Sequence, residues 1–222
     1  MSEHQSIFIV DDHPLVREWL GTLINQQTDM TICGEAEAAP EALSKIETLK
    51  PDVVVVDIML ASGSGLELIK DIRRVSPESI SLVLSMHDEL TYADRALRAG
   101  ARGYVSKRDT TKKIVNAIRE VSAGRVFVSP EVQAQITERY LGNRTSSSDI
   151  STLSDRELEV FRMLGQGGDT RQIADSLSIS IKTVQVYCTR VREKLGLAGH
   201  HELMREAFRW WEQQAGKPKF ER

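Results

Sequence analysis

The chain has 222 residues, of which 41% are hydrophobic and 27% charged, the ordinary proportions of a globular protein. Its net charge of −3 does not by itself indicate a nucleic-acid partner, and its two cysteines, Cys33 and Cys188, cannot form a disulfide framework or a metal cluster. No apolar run approaches the ~20 residues of a membrane span, and the first residues lack a signal-peptide pattern, so we expect a cytoplasmic protein without a membrane partner.

The first part of the chain alternates between strand and helix patterns. Strands are predicted at 6–10, 30–36, 53–57, 80–85 and 103–106, with amphipathic helices between and after them at about 14–26, 40–49, 65–75, 88–99 and 110–123. Five successive strand–helix units predict an α/β doubly wound fold, with a five-stranded parallel sheet covered by helices on both faces.

The pattern changes after Gly124. Another helix is predicted near 130–141, and the polar stretch 142–149 has no periodicity and is the clearest linker in the chain. Only helices are predicted beyond it, at about 154–165, 170–177, 181–195 and 199–213. We therefore expect a first domain at 1–124, a linker region at 125–150 that includes the helix near 130–141, and a small all-α domain at 151–215.

Three carboxylates follow predicted strands of the first domain. Asp57 ends the all-valine run 53–56, and Asp11 and Asp12 follow the apolar run 7–10. A carboxylate at the end of a buried strand is costly unless it has a use. Because ligands of open parallel sheets bind outside the carboxyl ends of the strands, these acids predict an anionic pocket suited to a hard divalent cation such as Mg²⁺.

Two further polar residues stand at the same rim of the predicted sheet. Ser85 ends the fourth strand, and Lys107 follows the fifth. This set suits phosphoryl transfer to a carboxylate, with Asp57 as the nucleophile. Asp12 and Asp57 would hold Mg²⁺, with Asp11 acting directly or through water, while Lys107 and Ser85 would bind phosphoryl oxygens. The neighbouring histidines, His13 and His87, are interpreted as spacers.

Residues 1–124 resemble the receiver domain of two-component response regulators. The matching stretches are Val10–Pro14, Pro51–Asp57, Leu84–Ser85 and Gly103–Lys107. The resemblance implies a flavodoxin-like fold in which Asp57 accepts phosphate from a sensor histidine kinase. It also implies that the backbone carbonyl of Met59 ligates the metal, and that Tyr104 turns inward when Ser85 moves toward the phosphoryl group. The family usually has proline where Ala61 stands. By the same resemblance, the side chain of Met59 borders the path of the hydrolytic water.

The segment from Leu153 to Phe208 resembles the LuxR-type helix-turn-helix domain. The resemblance rests on the stretches Leu153–Val160, Gln166–Gly168, Gln172–Ala174, Leu177–Ser180, Lys182–Val184 and Val191–Gly196. Ser154 and Glu157 also form a capping-box pattern at the first helix. A receiver followed by this module is the layout of NarL/FixJ-type response regulators.

Helix 181–195 is predicted to be the recognition helix. A helical period places Ile181, Val184, Cys188, Val191 and Leu195 on one buried face. On the outward side Gln185, Val186 and Thr189 are suited to base edges and, by resemblance, match the family's base-reading positions. The residues placed for phosphates are Lys182, Thr183, Arg190 and Lys194.

The last helix pairs two DNA-binding modules in the family. Of its neighbouring tryptophans, Trp210 and Trp211, one is expected in the core and the other at a partner surface. The leading hypothesis is therefore a transcription factor that binds promoter half-sites in double-stranded DNA as a homodimer after phosphorylation of Asp57.

Three other classes of function are weighed against this hypothesis. The first is a receiver-fold scaffold or DNA-binding protein regulated without phosphorylation. The second is a Mg²⁺-dependent phosphatase, which is disfavoured because such enzymes place a second acid two residues after the nucleophile, where this chain has Met59. The third is a ligand-sensing activator, which would need a small-molecule pocket in place of the anionic one.

Overall fold

The computed structural model describes residues 4–60, 63–140 and 150–215. These residues form two compact units, one before residue 142 and one after it, and each is described by itself. None of the helices in the described ranges combines the length and the apolar character that a bilayer crossing requires.

The described part of the first unit contains a parallel sheet and its covering helices. The strands are β1 Gln5–Val10, β2 Met30–Ala36, β3 Val53–Val56, β4 Ile80–Ser85 and β5 Gly103–Ser106. The helices between and after them are α1 Pro14–Asn25, α2 Ala39–Leu49, α3 Gly65–Val75, α4 Glu89–Ala99 and α5 Thr111–Ser122. Every one of these bounds lies within one residue of the prediction.

The sheet order is β2-β1-β3-β4-β5, and all neighbouring strands pair in parallel. After β1 the chain first adds β2 on one side and then returns to place β3 on the other. The order therefore reverses between β1 and β3, where a doubly wound sheet opens its ligand crevice. The predicted doubly wound fold is confirmed.

The four valines of β3 show that both faces of the sheet are covered. Each of them is at most 1% exposed, because a central parallel strand is buried on both faces. Val53 and Val55 pack in a core cluster with residues of α1 and α5, including Leu20 and Ile118. Since successive side chains of a strand alternate in direction, Val54 and Val56 fill the opposite face.

Residues 125–140 pack on the first unit, although the sequence places them in the linker region. The Phe127 N–H donates to the Arg102 carbonyl (3.0 Å), and the Tyr104 N–H donates to the Phe127 carbonyl (2.8 Å), which extends the edge of β5. Helix α6, Pro130–Tyr140, packs against α4 and buries Val132 to 1% exposure. An extension of so few residues has no sequence periodicity from which this packing could be predicted. The predicted linker 142–149 lies outside the described residues.

The second unit is helical throughout its described residues. A 3-10 turn, Ile150–Thr152, precedes α7 Asp155–Gly165, α8 Thr170–Ser176, α9 Ile181–Leu195 and α10 His200–Ala215. The predicted capping box of Ser154 and Glu157 is present at α7. Asp169 and Gln172 form a second one at α8. These reciprocal hydrogen bonds satisfy backbone N–H groups at the helix starts.

The core of the second unit confirms most of the predicted buried face of α9. Val184, Cys188, Val191 and Leu195 are buried, but Ile181 is 43% exposed, so its predicted burial is wrong. Ile181 occupies the first helical position, where the periodic pattern continues although the side chain is left partly open to solvent. Of the two tryptophans, Trp210 is the buried one and packs against Phe161, with the ring centroids 5.7 Å apart.

Candidate functional site

The carboxyl ends of β1 and β3 bring the predicted acids together. The Asp57 N–H donates to the Val10 carbonyl (2.8 Å), which fixes the end of one strand against the other. One ligand atom from each of Asp11, Asp12, His13 and Asp57 lies within 4.8 Å of all the others. The reversal of strand order therefore gathers acids that are 46 positions apart in the chain, Asp11 and Asp57, into one cluster.

Lys107 lies between two of these carboxylates. Its Nζ atom is 2.5 Å from Asp11 Oδ2 and 2.6 Å from Asp57 Oδ2, and the three side chains are at most 7% exposed. Burial alone would lower the pKa of Lys107, but both carboxylates outweigh it and raise that pKa. Burial raises the pKa of Asp57, and the Lys107 ammonium opposes this shift. The cation thus favours the ionised form of Asp57, which a nucleophile requires.

The donor set fits a magnesium ion. Three carboxylates and one ammonium leave a net charge of −2, and carboxylate oxygens are the ligands that hard divalent cations prefer. Among the described residues, Asp12 Oδ1 is buried without a hydrogen-bond partner. The nearby Nδ1 atom of His13, at 2.7 Å, is outside hydrogen-bonding geometry. An unpartnered buried oxygen beside other carboxylates is well explained by a cation ligand.

His13 is closer to the cluster than its interpretation as a spacer implies. Its backbone N–H donates to Asp11 Oδ1 (3.0 Å), and its Nδ1 atom lies 3.2 Å from the same oxygen. The ring itself is 67% exposed, so His13 lies at the solvent boundary of the cluster. The signal available in the sequence was its position directly after Asp12.

The loop after Asp57 is held close to the carboxylate. The Met59 N–H donates to Asp57 Oδ1 (3.3 Å), while the metal-binding role of the Met59 carbonyl stays a prediction. The Gly65 N–H donates to the Ile58 carbonyl (2.9 Å), and a Cβ atom at Gly65 would lie 2.1 Å from the Asp57 carbonyl oxygen. Only glycine permits this approach of α3 to the site. Ala61 lies outside the described residues.

Ser85 and Tyr104 occupy neighbouring strands at the same rim. Ser85 is fully buried, and its Oγ atom accepts from the His87 N–H (3.3 Å). The Tyr104 hydroxyl donates to the His87 carbonyl (3.0 Å), so the ring has the inward orientation at 1% exposure. Burial raises the pKa of Tyr104 well above its ordinary value, which keeps the hydroxyl a neutral donor. The backbone of His87 therefore links the Ser85 hydroxyl to the Tyr104 hydroxyl.

The exposed side of α9 carries most of the predicted DNA-contacting residues. Lys182, Gln185, Val186, Thr189 and Arg190 are exposed, and Thr183 is half-buried. An open groove of about 340 Å³ runs along this side, and Tyr187 lines it although the sequence analysis did not select that residue. The groove is lined by Ser180, Lys182, Thr183, Val186, Tyr187 and Arg190.

Lys194 differs from the other predicted phosphate contacts. Its Nζ atom lies 2.6 Å from Glu157 Oε2 and donates to the Thr152 carbonyl at 3.1 Å. The ammonium is thus hydrogen-bonded within the helical unit, although the side chain is 39% exposed. No local sequence pattern indicates this pair, because the two residues are 37 positions apart.

Two family models match the chain in succession. The model of the response regulator receiver domain matches residues 7–119. The model described as bacterial regulatory proteins, luxR family, matches residues 151–207. The chain belongs to the NarL/FixJ-type two-component response regulators. In this response regulator a receiver domain precedes a LuxR-type DNA-binding domain, a layout that fits a regulator rather than an enzyme.

Known proteins resemble this response regulator over most of its length. The oxygen regulatory protein NreC of Staphylococcus aureus is 33% identical over 209 residues, covering 91% of this chain and 96% of NreC. A solved LuxR-family response regulator from Aurantimonas sp. SI85-9A1 is 34% identical with a TM-score of 0.58, covering 63% of this chain and 99% of its own. Promoter-bound RcsB from Salmonella enterica serovar Typhimurium shares the fold, at 24% identity, a TM-score of 0.68 and coverages of 92% and 98%.

Proposed function

We propose that this protein is a cytoplasmic transcription factor whose DNA binding is controlled by phosphorylation of Asp57 by a sensor histidine kinase. The observation that carries the proposal is the buried contact of Lys107 with Asp11 and Asp57 beside the unpartnered Asp12 oxygen. A purely structural ion pair has no need of the additional acid. A phosphoryl acceptor needs all of these groups, because developing negative charge must be neutralised on several sides.

The phosphoryl transfer uses the Asp57 carboxylate as the nucleophile. One of its oxygens attacks the phosphorus of a phosphohistidine on the kinase, the new O–P bond forms, and the P–N bond breaks with its electron pair going to the imidazole. Lys107 is already beside Asp57 and donates to a phosphoryl oxygen, and the Ser85 hydroxyl donates to another. A magnesium ion held by Asp11, Asp12, Asp57 and the Met59 carbonyl would neutralise charge on the phosphoryl oxygens.

The output of phosphorylation is a shift between two pre-existing conformations. Once Ser85 donates to the phosphoryl group, the inward orientation of Tyr104 is favoured, and the surface of α4, β5 and α5 changes with it. The phosphorylated form dimerises on double-stranded DNA, with half-sites about one helical turn apart. That a member of this fold, RcsB, is solved on promoter DNA supports DNA as the partner.

The recognition helix α9 divides the DNA contacts by chemistry. Gln185 and Thr189 hydrogen-bond base edges, and the exposed Val186 contacts a thymine methyl group. Three further residues bind backbone phosphates and set the register without reading sequence. They are Lys182, Thr183 and Arg190.

Labelling of Asp57 and DNA affinity together test the proposal. The full chain is incubated with acetyl phosphate and Mg²⁺, with Asp57→Asn as the matched control, and mass, dimerisation and gel-shift affinity are measured. We expect the wild type alone to gain one phosphoryl group and its DNA affinity to rise by about tenfold or more. Absence of labelling would favour the scaffold regulated without phosphorylation. Labelling with unchanged affinity would reject the switch while keeping the phosphoacceptor.

A further inference from the structure

A buried carboxylate joins three segments of the helical unit. Glu157 is 3% exposed, and its Oε2 atom accepts from the Ser154 N–H at 2.7 Å and from Lys194 Nζ at 2.6 Å. Lys194 also donates to the carbonyl of Thr152, in the turn before α7. The ammonium in the last turn of α9 is thereby tied to the start of α7.

This junction lies at one end of the recognition helix and away from its middle. Helix α9 has 15 residues, about 22 Å in length, and the base-reading positions Gln185 and Thr189 lie near its centre. Its start is capped locally by Ser180, whose Oγ atom accepts from the Thr183 N–H at 3.0 Å. The Lys194–Glu157 contact ties the opposite end to the start of α7, so it constrains how α9 lies against α7.

Two of the three ammonium donors of Lys194 are used within the helical unit, so a phosphate that drew Lys194 away would break this junction. The Glu157 side chain, 4% exposed, would then stay buried without its cation, although Lys194 itself is 39% exposed; removing the partner of a buried charge leaves that charge uncompensated. The ion pair holds the pKa of Glu157 below its usual range, because the Lys194 and Ser154 hydrogen bonds outweigh the opposing effect of burial. Without Lys194, the effect of burial, which raises this pKa, is opposed only by the Ser154 hydrogen bonds.

We infer that Lys194 is a positioning residue that orients α9 through Glu157, and that this role, and not a phosphate contact, accounts for its effect on DNA binding. The inference rests on the proposed contact between α9 and DNA. It replaces the role predicted for Lys194 from the sequence and adds Glu157, a buried residue of α7, to those that determine specificity. Both residues act on binding only through the geometry of the helix.

The test compares Lys194→Met, Glu157→Gln and the double variant in the full phosphorylated chain. Glutamine keeps the hydrogen bond of the capping box but removes the charge that Lys194 needs. Two probes are used, a duplex selected by the wild type from a random-sequence pool and a mixed-sequence duplex, each titrated over a range of salt concentrations. Arg190→Met, on the exposed side of the same helix, is the matched control for a phosphate contact.

We expect each single variant to weaken binding to the selected duplex on the order of tenfold, and the double variant to weaken it no further. Binding to the mixed-sequence duplex should change less, and the salt dependence should stay that of the wild type. Arg190→Met should instead weaken both duplexes alike and reduce the slope of log affinity against log salt by about 0.9.

Lys194 would be a phosphate contact after all if Lys194→Met behaved like Arg190→Met while Glu157→Gln left affinity unchanged or higher. Full wild-type affinity in both single variants would also overturn the inference. Should Lys194→Met unfold the helical unit, Glu157→Gln still separates the two roles, because only positioning predicts a loss for it. If Arg190→Met and Lys182→Met both bind like the wild type, the proposed DNA contact of α9 itself fails.

Discussion

At the scale of single residues, the receiver site depends on one cation shared by two buried acids. Lys107 contacts Asp11 and Asp57. Two opposing effects on the pKa of Asp57 explain why the buried acid needs this cation. Burial disfavours the charged carboxylate, and the ammonium favours it. A buried acid without this cation would hold a proton and be a poor nucleophile.

Replacing Lys107 with methionine should destabilise the receiver domain at neutral pH. Two buried carboxylates would face each other without a cation, and we expect a loss of about 2 kcal/mol in the free energy of unfolding, measured by urea denaturation with a chelator present. The exposed pair of Lys45 and Glu41 supplies the control, since Lys45→Met should cost less than about 0.5 kcal/mol.

The pH dependence of this loss has a definite sign. The raised pKa of Lys107 means that its contribution is complete below the ordinary lysine pKa and is lost as pH rises through the raised value. The pKa of Asp57 is also raised, and without Lys107 it rises further. As pH falls, protonation of Asp57 therefore relieves the repulsion between the two carboxylates in the variant. The difference in stability should therefore shrink toward both extremes. A difference that grew in acid would contradict this account of the site.

At the scale of helices and strands, close contacts fix how the elements of each unit meet. Gly165 ends α7, and a Cβ atom at this position would lie 2.4 Å from the Ala207 carbonyl oxygen of α10. Gly65 has the same role between α3 and the end of β3. In each case the absence of a side chain lets two backbones approach. A methyl group there would find no space, because protein interiors are close-packed.

Gly165→Ala should push α7 and α10 apart and destabilise the helical unit. Overpacking of a close contact typically costs about 1–3 kcal/mol, and we expect a loss of that size in the unfolding transition of this unit, measured by circular dichroism during thermal unfolding. Gly199→Ala is the matched control, because a Cβ atom there meets nothing within 4 Å. Equal stability of the two variants would show that α7 and α10 can separate without loss.

At the scale of the whole molecule, the chain consists of two units that each contain a hydrophobic core. The proposed phosphate chemistry belongs to the first unit, and the proposed recognition helix to the second. Units with separate cores unfold as separate cooperative transitions unless a large interface couples them. A ligand of the acidic pocket should therefore act on one transition only.

Magnesium should raise the stability of the receiver transition and leave that of the helical unit unchanged. Selective binding to the folded state contributes about 2.7 kcal/mol when the ion is at one hundred times its Kd. Differential scanning calorimetry with Mg²⁺ and then with a chelator measures both transitions. In the Asp12→Asn variant, which removes a proposed ligand, Mg²⁺ should have a much smaller effect. A shift of both transitions would show coupled unfolding.

The sequence by itself determined the elements and the rim of the sheet where the acids meet. Helix and strand periods depend on neighbouring residues, and the capping box of Ser154 and Glu157 lies within four positions, so local patterns contain them. The proximity of the acids could be predicted from the sequence, because the carboxyl ends of parallel strands share one edge of the sheet. Asp11 and Asp57 follow from that rule alone.

The tertiary structure alone decided which side chains pair and which surfaces are covered. Lys194 finds Glu157 across 37 positions, Ile181 is left exposed at the end of a buried stripe, and residues 125–140 pack on the receiver. A periodic pattern specifies the direction in which a side chain points along its own helix. What lies in that direction depends on the packing of distant elements, and that packing makes Lys194 a partner of Glu157.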